Sequence, residues 1–354
     1  MPADKMKATR PTIFVEGTED AALAQGLLRM LIHEQVQGLY RAELRFGNWG
    51  PKGNAIGFLY FDRKKLDFGK TIRLELDKTP LFEGRISAIE ADFGEGASPE
   101  ISILLEDRLQ DLRMTRRTRT WNDVSDADVI KKIAGDHGLQ PQVELTGPTH
   151  KVLAQVNQSD LAFIRDRARA AGGELWIDGR ALHAKPRTSR GNDSLKLKYG
   201  SDLRQFTALA DLAHQRSSVT VSGWDVSSKQ AIKHKADDAA VRGELGNDSS
   251  GSKILGDTFG TRGESVAHTV PLTSDEAKAH AESWYRAAAR RFLTGRGVAQ
   301  PNAKLRVGAY VELDGLGALF NGKYYLAEVQ HLFDGPSGFR SEFTGERPGI
   351  GSAS

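Results

Sequence analysis

The sequence predicts an α+β chain that is mainly β: two related β-barrel-like domains flanking an inserted α+β module. Three observations lead there. Apolar residues alternate with polar ones through the first hundred residues, helix-capping signals gather in the middle, and a strand-and-turn pattern from the first part returns near the end. At 354 residues the chain is longer than one ordinary domain of about 100–200 residues. The expected division is 1–114, 115–192 and 193–348, with 349–354 as a flexible tail.

The first domain is read from period two. Tyr40, Ala42, Leu44 and Phe46 share one face, while Arg41, Glu43 and Arg45 share the other. Ile72, Leu74 and Leu76 oppose Arg73, Glu75 and Asp77 in the same way, and Ile101, Ile103 and Leu105 follow. Such alternation fits an antiparallel sheet with one solvated face. In the module, Ser125 and Asp128 have capping-box spacing, with Asp replacing the preferred Glu or Gln, before a helix carrying Val129, Ile130 and Ile133 and ending by Gly138. Ser159 caps a second helix, residues 160–171, with Leu161, Ile164 and Ala168 as its stripe and Gly172 and Gly173 as its stop. Asp178 and Gly179 then form a tight hairpin turn. Strand texture resumes at residues 194–199, 203–212 and 219–226. Residues 243–263, rich in Gly and poor in apolar side chains, are expected to form a long mobile loop. Thr273 and Glu276 cap a helix over 274–293 whose apolar face includes Ala277, Trp284, Ala288 and Phe292.

A faint duplication links the two outer domains. The first copy runs from Gly69 through Phe82, Gly84 and Phe93 to Arg108; the second runs from Gly308 through Phe320, Gly322 and Phe333 to Arg347. Counted from the two glycines, these landmarks agree to within one residue. Three copies of such a chain place six similar units around an axis. Continuing the sheet from subunit to subunit into a ring-shaped trimer would satisfy the edges that open sheets expose.

Composition narrows the function. With 49 Lys and Arg against 46 Asp and Glu, the net charge is +3, which predicts no general attraction to nucleic acid. The absence of Cys excludes disulfides, thiol catalysis and cysteine metal sites. His33-Glu34-Gln35-Val36-Gln37 lacks the second histidine of a zinc-protease motif, and Gly335-Pro336-Ser337-Gly338-Phe339 lacks the last glycine of a nucleophile elbow. No phosphate-cradling glycine motif occurs, so no cofactor, metal or catalytic residue is assigned and the chain is not expected to be an enzyme. Two carboxylates brought together by folding would serve a cell-wall (peptidoglycan) hydrolase, which stays as the alternative. Arg113, Arg116, Arg117 and Arg119 precede Trp121. That basic cluster is read as a candidate interface, either a subunit contact or a solvated linker, with single-stranded nucleic-acid binding as the lesser alternative. No apolar stretch is long enough to span a bilayer as a helix, so no membrane anchor is expected.

These residues resemble the phage late control gene D proteins, tail hub proteins similar to the N-terminal part of VgrG. The likeness rests on Phe82-Glu83-Gly84-Arg85-Ile86, the helix from Asp126 to Gly138, the run from Val156 to Arg165, the hairpin around Trp176-Ile177-Asp178-Gly179, Phe320-Asn321-Gly322-Lys323-Tyr324-Tyr325, His331 and the ending Phe343 to Arg347. The resemblance implies a homotrimeric baseplate hub in a phage tail or contractile injection particle. Such a hub is made in the cytoplasm and built into the virion or particle. It would contact a six-fold tail tube or tube-initiator protein, a three-fold spike and baseplate wedge proteins, and line a channel for DNA or protein cargo. Because VgrG-type chains continue into an OB-like domain and spike, the ending at Ser354 predicts a separate spike protein.

Overall fold

The computed structural model describes residues 10–191, 194–226, 228–266 and 271–352. Residues 1–9 of the expected first domain, 192–193 at the module boundary and 353–354 of the expected tail lie outside the described residues.

Alternation becomes strand wherever one face is buried. In the first part of the chain the strands Leu27–Gln35 (β1), Arg41–Gly47 (β2), Thr71–Leu76 (β3), Thr79–Asp92 (β4) and Glu100–Glu106 (β5) form an antiparallel unit. In the last part Leu203–Ala210 (β6), Leu293–Ala299 (β7), Tyr310–Asp314 (β8), Gly322–Asp334 (β9) and Gly338–Arg347 (β10) form another. Both have one connectivity: the first strand pairs the second, the second the fifth, the fifth the fourth, and the fourth the third.

The glycines that open the two sequence repeats make the same turn. Gly69 has φ +81° and Gly308 has φ +92°, the left-handed region that a Cβ disfavours. Gly69 N–H donates to the Ile86 carbonyl at 2.9 Å, and Ile86 N–H donates to the Lys70 carbonyl at 3.0 Å. In the second unit Gly308 N–H donates to Leu326 at 3.0 Å, and Leu326 N–H donates to Ala309 at 2.9 Å. A β-bulge follows each time, between Ile86 and Ala88 and between Leu326 and Glu328. The bulge bends the strand and re-aims what comes after it.

The two units are parts of one 13-stranded sheet, and among the described residues no sheet closes into a barrel. The expectation of two barrel-like domains is corrected here. Strand β9 pairs with β8 through Tyr325, and after its bulge it pairs antiparallel with β1, from Glu328 opposite Gln35 to Asp334 opposite Arg29. That junction joins the units edge to edge. Between them in sequence lie a two-stranded and a three-stranded sheet with the helices Asp126–Asp136 (α1) and Asp160–Ala170 (α2). The capping box at Ser125 forms with both of its hydrogen bonds, and Ser159 Oγ accepts from Ala162 N–H. The hairpin turns one residue later than read, at Gly179 and Arg180.

The units differ in what hangs between their strands. β2 and β3 are separated by residues 48–70, which carry a small hairpin, whereas β7 and β8 are separated by 300–309. β1 and β2 are separated only by 36–40, but β6 and β7 by 211–292. This long insert has its own core, where Val219, Val221 and Ile232 pack on Ala281 and Tyr285 of the helix Ser274–Ala289 (α3).

Three further readings are corrected. Residues 243–263 are not a loop: Arg242–Leu245 and Gly251–Phe259 are helical, Ser250 caps the second helix, and Leu255 is buried. Capping, together with glycines that let Gly251 lie against the Phe292 ring, replaces the missing apolar bulk. The helix expected over 274–293 ends at Ala289, because Phe292 packs into the second unit and Leu293 begins β7. Its buried face is Ala277, Ala281, Tyr285 and Ala289, one position round from the expected set, leaving Trp284 exposed. Finally, Gly349 and Ile350 of the expected tail pair as a strand with Ser249 and Ser250.

Candidate assembly surface

Registers across the sheet place one row of side chains on the solvated face. It runs Gln205, Val298, Glu342, Gln330, His33, Arg41, Glu106, Arg85, Thr71, crossing from the second unit to the first without a break, and of these Glu106 alone is buried. The next row towards the core face runs Ala299, Ser341, His331, Ile32, Ala42, Leu105, Ile86. All seven of those residues are buried. His331 sits in this apolar layer, bonded to Ser341 Oγ at 3.0 Å, and burial with Arg306 nearby pulls its pKa down to about 3.

Charges on the solvated face are mixed and paired. His33 meets Glu328 at 2.6 Å, Arg41 meets Glu106 at 3.2 Å, Arg45 meets Glu100 at 3.4 Å, and Arg340 bridges Glu342 and Asp334 at 2.9 and 3.0 Å. A face with alternating signs holds no strong field of one sign, so a polyanion sliding past meets little net attraction.

Buried charges fasten the parts together. Arg190, on the segment entering the second unit, reaches Glu174 of the middle region at 2.8 Å, bonds Tyr40 Oη of the first unit and lies 4.3 Å from the Trp176 ring. Arg187 stacks 3.7 Å over Tyr325 and pairs with Glu346. Arg306 pairs with Glu34, tying the second unit to β1. A second link joins strand Thr149–Ser159 to α3: His150 bonds Glu276 at 2.7 Å and Asp126 at 3.2 Å. Those two carboxylates raise its pKa to about 9. None of these ties was singled out in the sequence: Arg187 and Arg190 lie in the polar run Lys185 to Gly191, and their partners are distant in the chain.

The expected candidate interface is engaged within the chain. Arg113 pairs with Glu106 at 2.6 Å, Arg116 donates to the Asn157 carbonyl at 2.9 Å, and Arg117 and Arg119 reach Asp160 at 3.2 and 2.6 Å. Arg119 also lies 4.7 Å from the Trp121 ring. Arg116, Arg117 and Arg119 thus hold Arg116–Ser125 against its neighbour strand and the start of α2, while Arg113 stays on β5.

The repeat landmarks are placed unevenly. Gly69 and Gly308 coincide in role. Pairing register sets Gly84 opposite Ile72 but Tyr324 opposite Val311, so Phe82 and Gly84 lie two residues out of step with Phe320 and Gly322. Phe93 and Phe333 fall at the same distance past the bulge, yet Phe333 is 1% exposed and Phe93 63%. Phe333 is covered where β9 lies between β10 and β1, whereas beyond its bulge β4 has β5 on one side and no strand on the other among the described residues.

A family profile described as the Alg8 N-terminal domain matches residues 6–334. The chain belongs to that family. It is not the late control gene D family that the motifs resemble, so that finer assignment is not what the match shows. No curated protein sequence matches the chain. Among solved structures, the 43 kDa tail protein of prophage MuSo2 from Shewanella oneidensis aligns with TM-score 0.71 at 12% identity, over 96% of this chain and 98% of its own. The tail protein of Neisseria meningitidis aligns with TM-score 0.68 at 12% identity, over 96% of each chain. An E. coli component of the type VI secretion system aligns with TM-score 0.55 at 14% identity, over 95% of this chain and 76% of its own. At these identities the likeness establishes a fold shared by this Alg8 N-terminal domain chain and phage-tail-type proteins.

Proposed function

We propose that this chain is a structural, non-enzymatic hub of a phage tail or contractile injection particle, whose trimer matches a six-fold tube to a three-fold spike and lines the central channel. The observation that carries the reading is the duplication: two units with one connectivity and the same glycine turn, joined edge to edge in a single sheet. Residues 1–114 and 193–348 are the two hub units in this reading, and 115–192 stands outside the ring. The charge-mixed face supports the channel wall, since a wall that gripped cargo would not pass it. The tail-type fold, and the naming of one neighbour as a type VI secretion component, support association with tube, spike and wedge proteins. Arg113, Arg116, Arg117 and Arg119 stay in this reading as a candidate subunit interface, each already held by a contact inside its own part of the chain.

Light scattering and negative-stain imaging of the same purified fraction test it. The expected result is a particle of three times 38.7 kDa, about 116 kDa, seen as a ring with a central hole. A stable monomer at high concentration that also clears purified peptidoglycan would replace this reading with the hydrolase.

A further inference from the structure

Among the described residues the sheet has several free edges, and the junction inside the chain shows how two of them fit each other. One is β6, whose only partner strand among the described residues is β7 and whose Leu209 is 61% exposed. It carries a single charge, Arg204, and no proline, so it lacks the usual devices that protect an edge. The other is the half of β4 past its bulge, Ala88 to Asp92, which pairs with β5 on one side and with no strand on the other among the described residues.

Equivalent positions follow from the shared turn. Ile86 and Leu326 trade the same two hydrogen bonds with the glycine turn, so Glu90 stands where Gln330 does and Ala91 where His331 does. Ile32 pairs Ala42, which pairs Leu105, which pairs Ile86; in the second unit Ala208 pairs Gly295, which pairs Gly345, which pairs Leu326. Ala208 therefore stands where Ile32 does, and Leu209 where His33 does. Within the chain Gln330 faces His33 and His331 faces Ile32.

We infer that the free half of β4 in one copy takes β6 of a second copy as its antiparallel neighbour, in the register of the β9–β1 junction. Glu90 then faces Leu209 of the partner subunit, and Ala91 faces Ala208 of the partner subunit. The contact is heterologous, each copy giving one edge and receiving the other, so it closes into a ring when the rotation permits. Closure at three copies rests on the hub reading; the pairing of these two edges rests on the intramolecular junction.

The chain has no cysteine, so introduced cysteines report alone. The test uses full-length Glu90→Cys/Leu209→Cys and Ala91→Cys/Ala208→Cys. Successive antiparallel pairs alternate between wide and close spacing, so one of the two double variants has the close geometry a disulfide needs. Mild oxidation is expected to give reducible covalent oligomers that end at trimer in at least one. The single variants, and Glu90→Cys/Gln205→Cys four residues out of register, are expected to give less than a tenth of that yield. Circular dichroism confirms folding of each variant. A trimeric solution mass with no cross-link in either pair overturns the edge proposal and leaves the hub reading standing; a monomeric mass with no cross-link overturns both. Covalent dimer from Leu209→Cys alone would place β6 against β6 about a two-fold axis and also overturn it.

Discussion

Replacing His150 by Gln isolates the link between the middle region and α3. The imidazole is 7% exposed and lies between Glu276 and Asp126, with Arg167 on the far side of Asp126 at 3.3 Å. Its pKa rises from 6.5 to about 9, the hydrogen bonds to Asp126 and then Glu276 being the main causes and burial opposing them. At about 1.4 kcal/mol per unit this corresponds to roughly 3 kcal/mol of folding stability. The lowered pKa of Glu276 is the same bond seen from its other end and adds nothing further. Because the folded value is the higher one, the contribution is full below about pH 6.5 and is lost as pH rises through about 9. Urea unfolding followed by far-ultraviolet circular dichroism at pH 6 and pH 10 measures it. The wild type should lose roughly 3 kcal/mol more than His150→Gln across that interval. Equal losses in the two proteins would mean that His150 is neutral at pH 6 and that the ionic link does not exist.

Two other substitutions probe separate parts of the scaffold. Gly308→Ala would set a Cβ 2.3 Å from Arg190 Nε at φ +92°, whereas Gly69→Ala meets nothing within 4 Å at φ +81°; thermal melts should show a loss of about 1 kcal/mol for the second from backbone strain alone and clearly more for the first. Glu174→Gln leaves Arg190 without its carboxylate and Arg187 with Glu346 alone, and should cost roughly 3–5 kcal/mol in chemical denaturation; a change below about 1 kcal/mol would show that the buried cluster does not fasten the units.

How much of this was legible depends on whether a feature is local. Alternation at Tyr40 to Phe46 and the caps at Ser125, Ser159 and Thr273 act within a few residues, and the structure has them where the sequence puts them. The strand order repeated in both units was visible only as two glycines and some phenylalanines. Its first two strands are separated by 5 residues in one copy and 82 in the other, which hides the correspondence from any fixed offset. The expected α3 face set Trp284 and Ala288 inside, whereas the side chains that pack on the insert's strands are Ala277, Ala281, Tyr285 and Ala289. Residues 243–263 were misread because composition counts apolar bulk and cannot see a helix held by its cap and by close approach to Phe292. The joining of the units at β9 and β1 brings together residues about 300 positions apart, and nothing local announces it.

The unequal inserts have a consequence for how such a scaffold changes over evolutionary time. Closing 82 residues rather than 5 between adjacent strands costs only about 2.5 kcal/mol of additional chain entropy. A self-contained core like that of Val219, Val221 and Tyr285 can offset so small a charge. Both inserts leave and re-enter at strand ends, so neither interrupts the hydrogen-bond ladder that repeats in the two units. What hangs from the sheet can therefore be lengthened, trimmed or exchanged to suit a new neighbour while the register inside stays fixed.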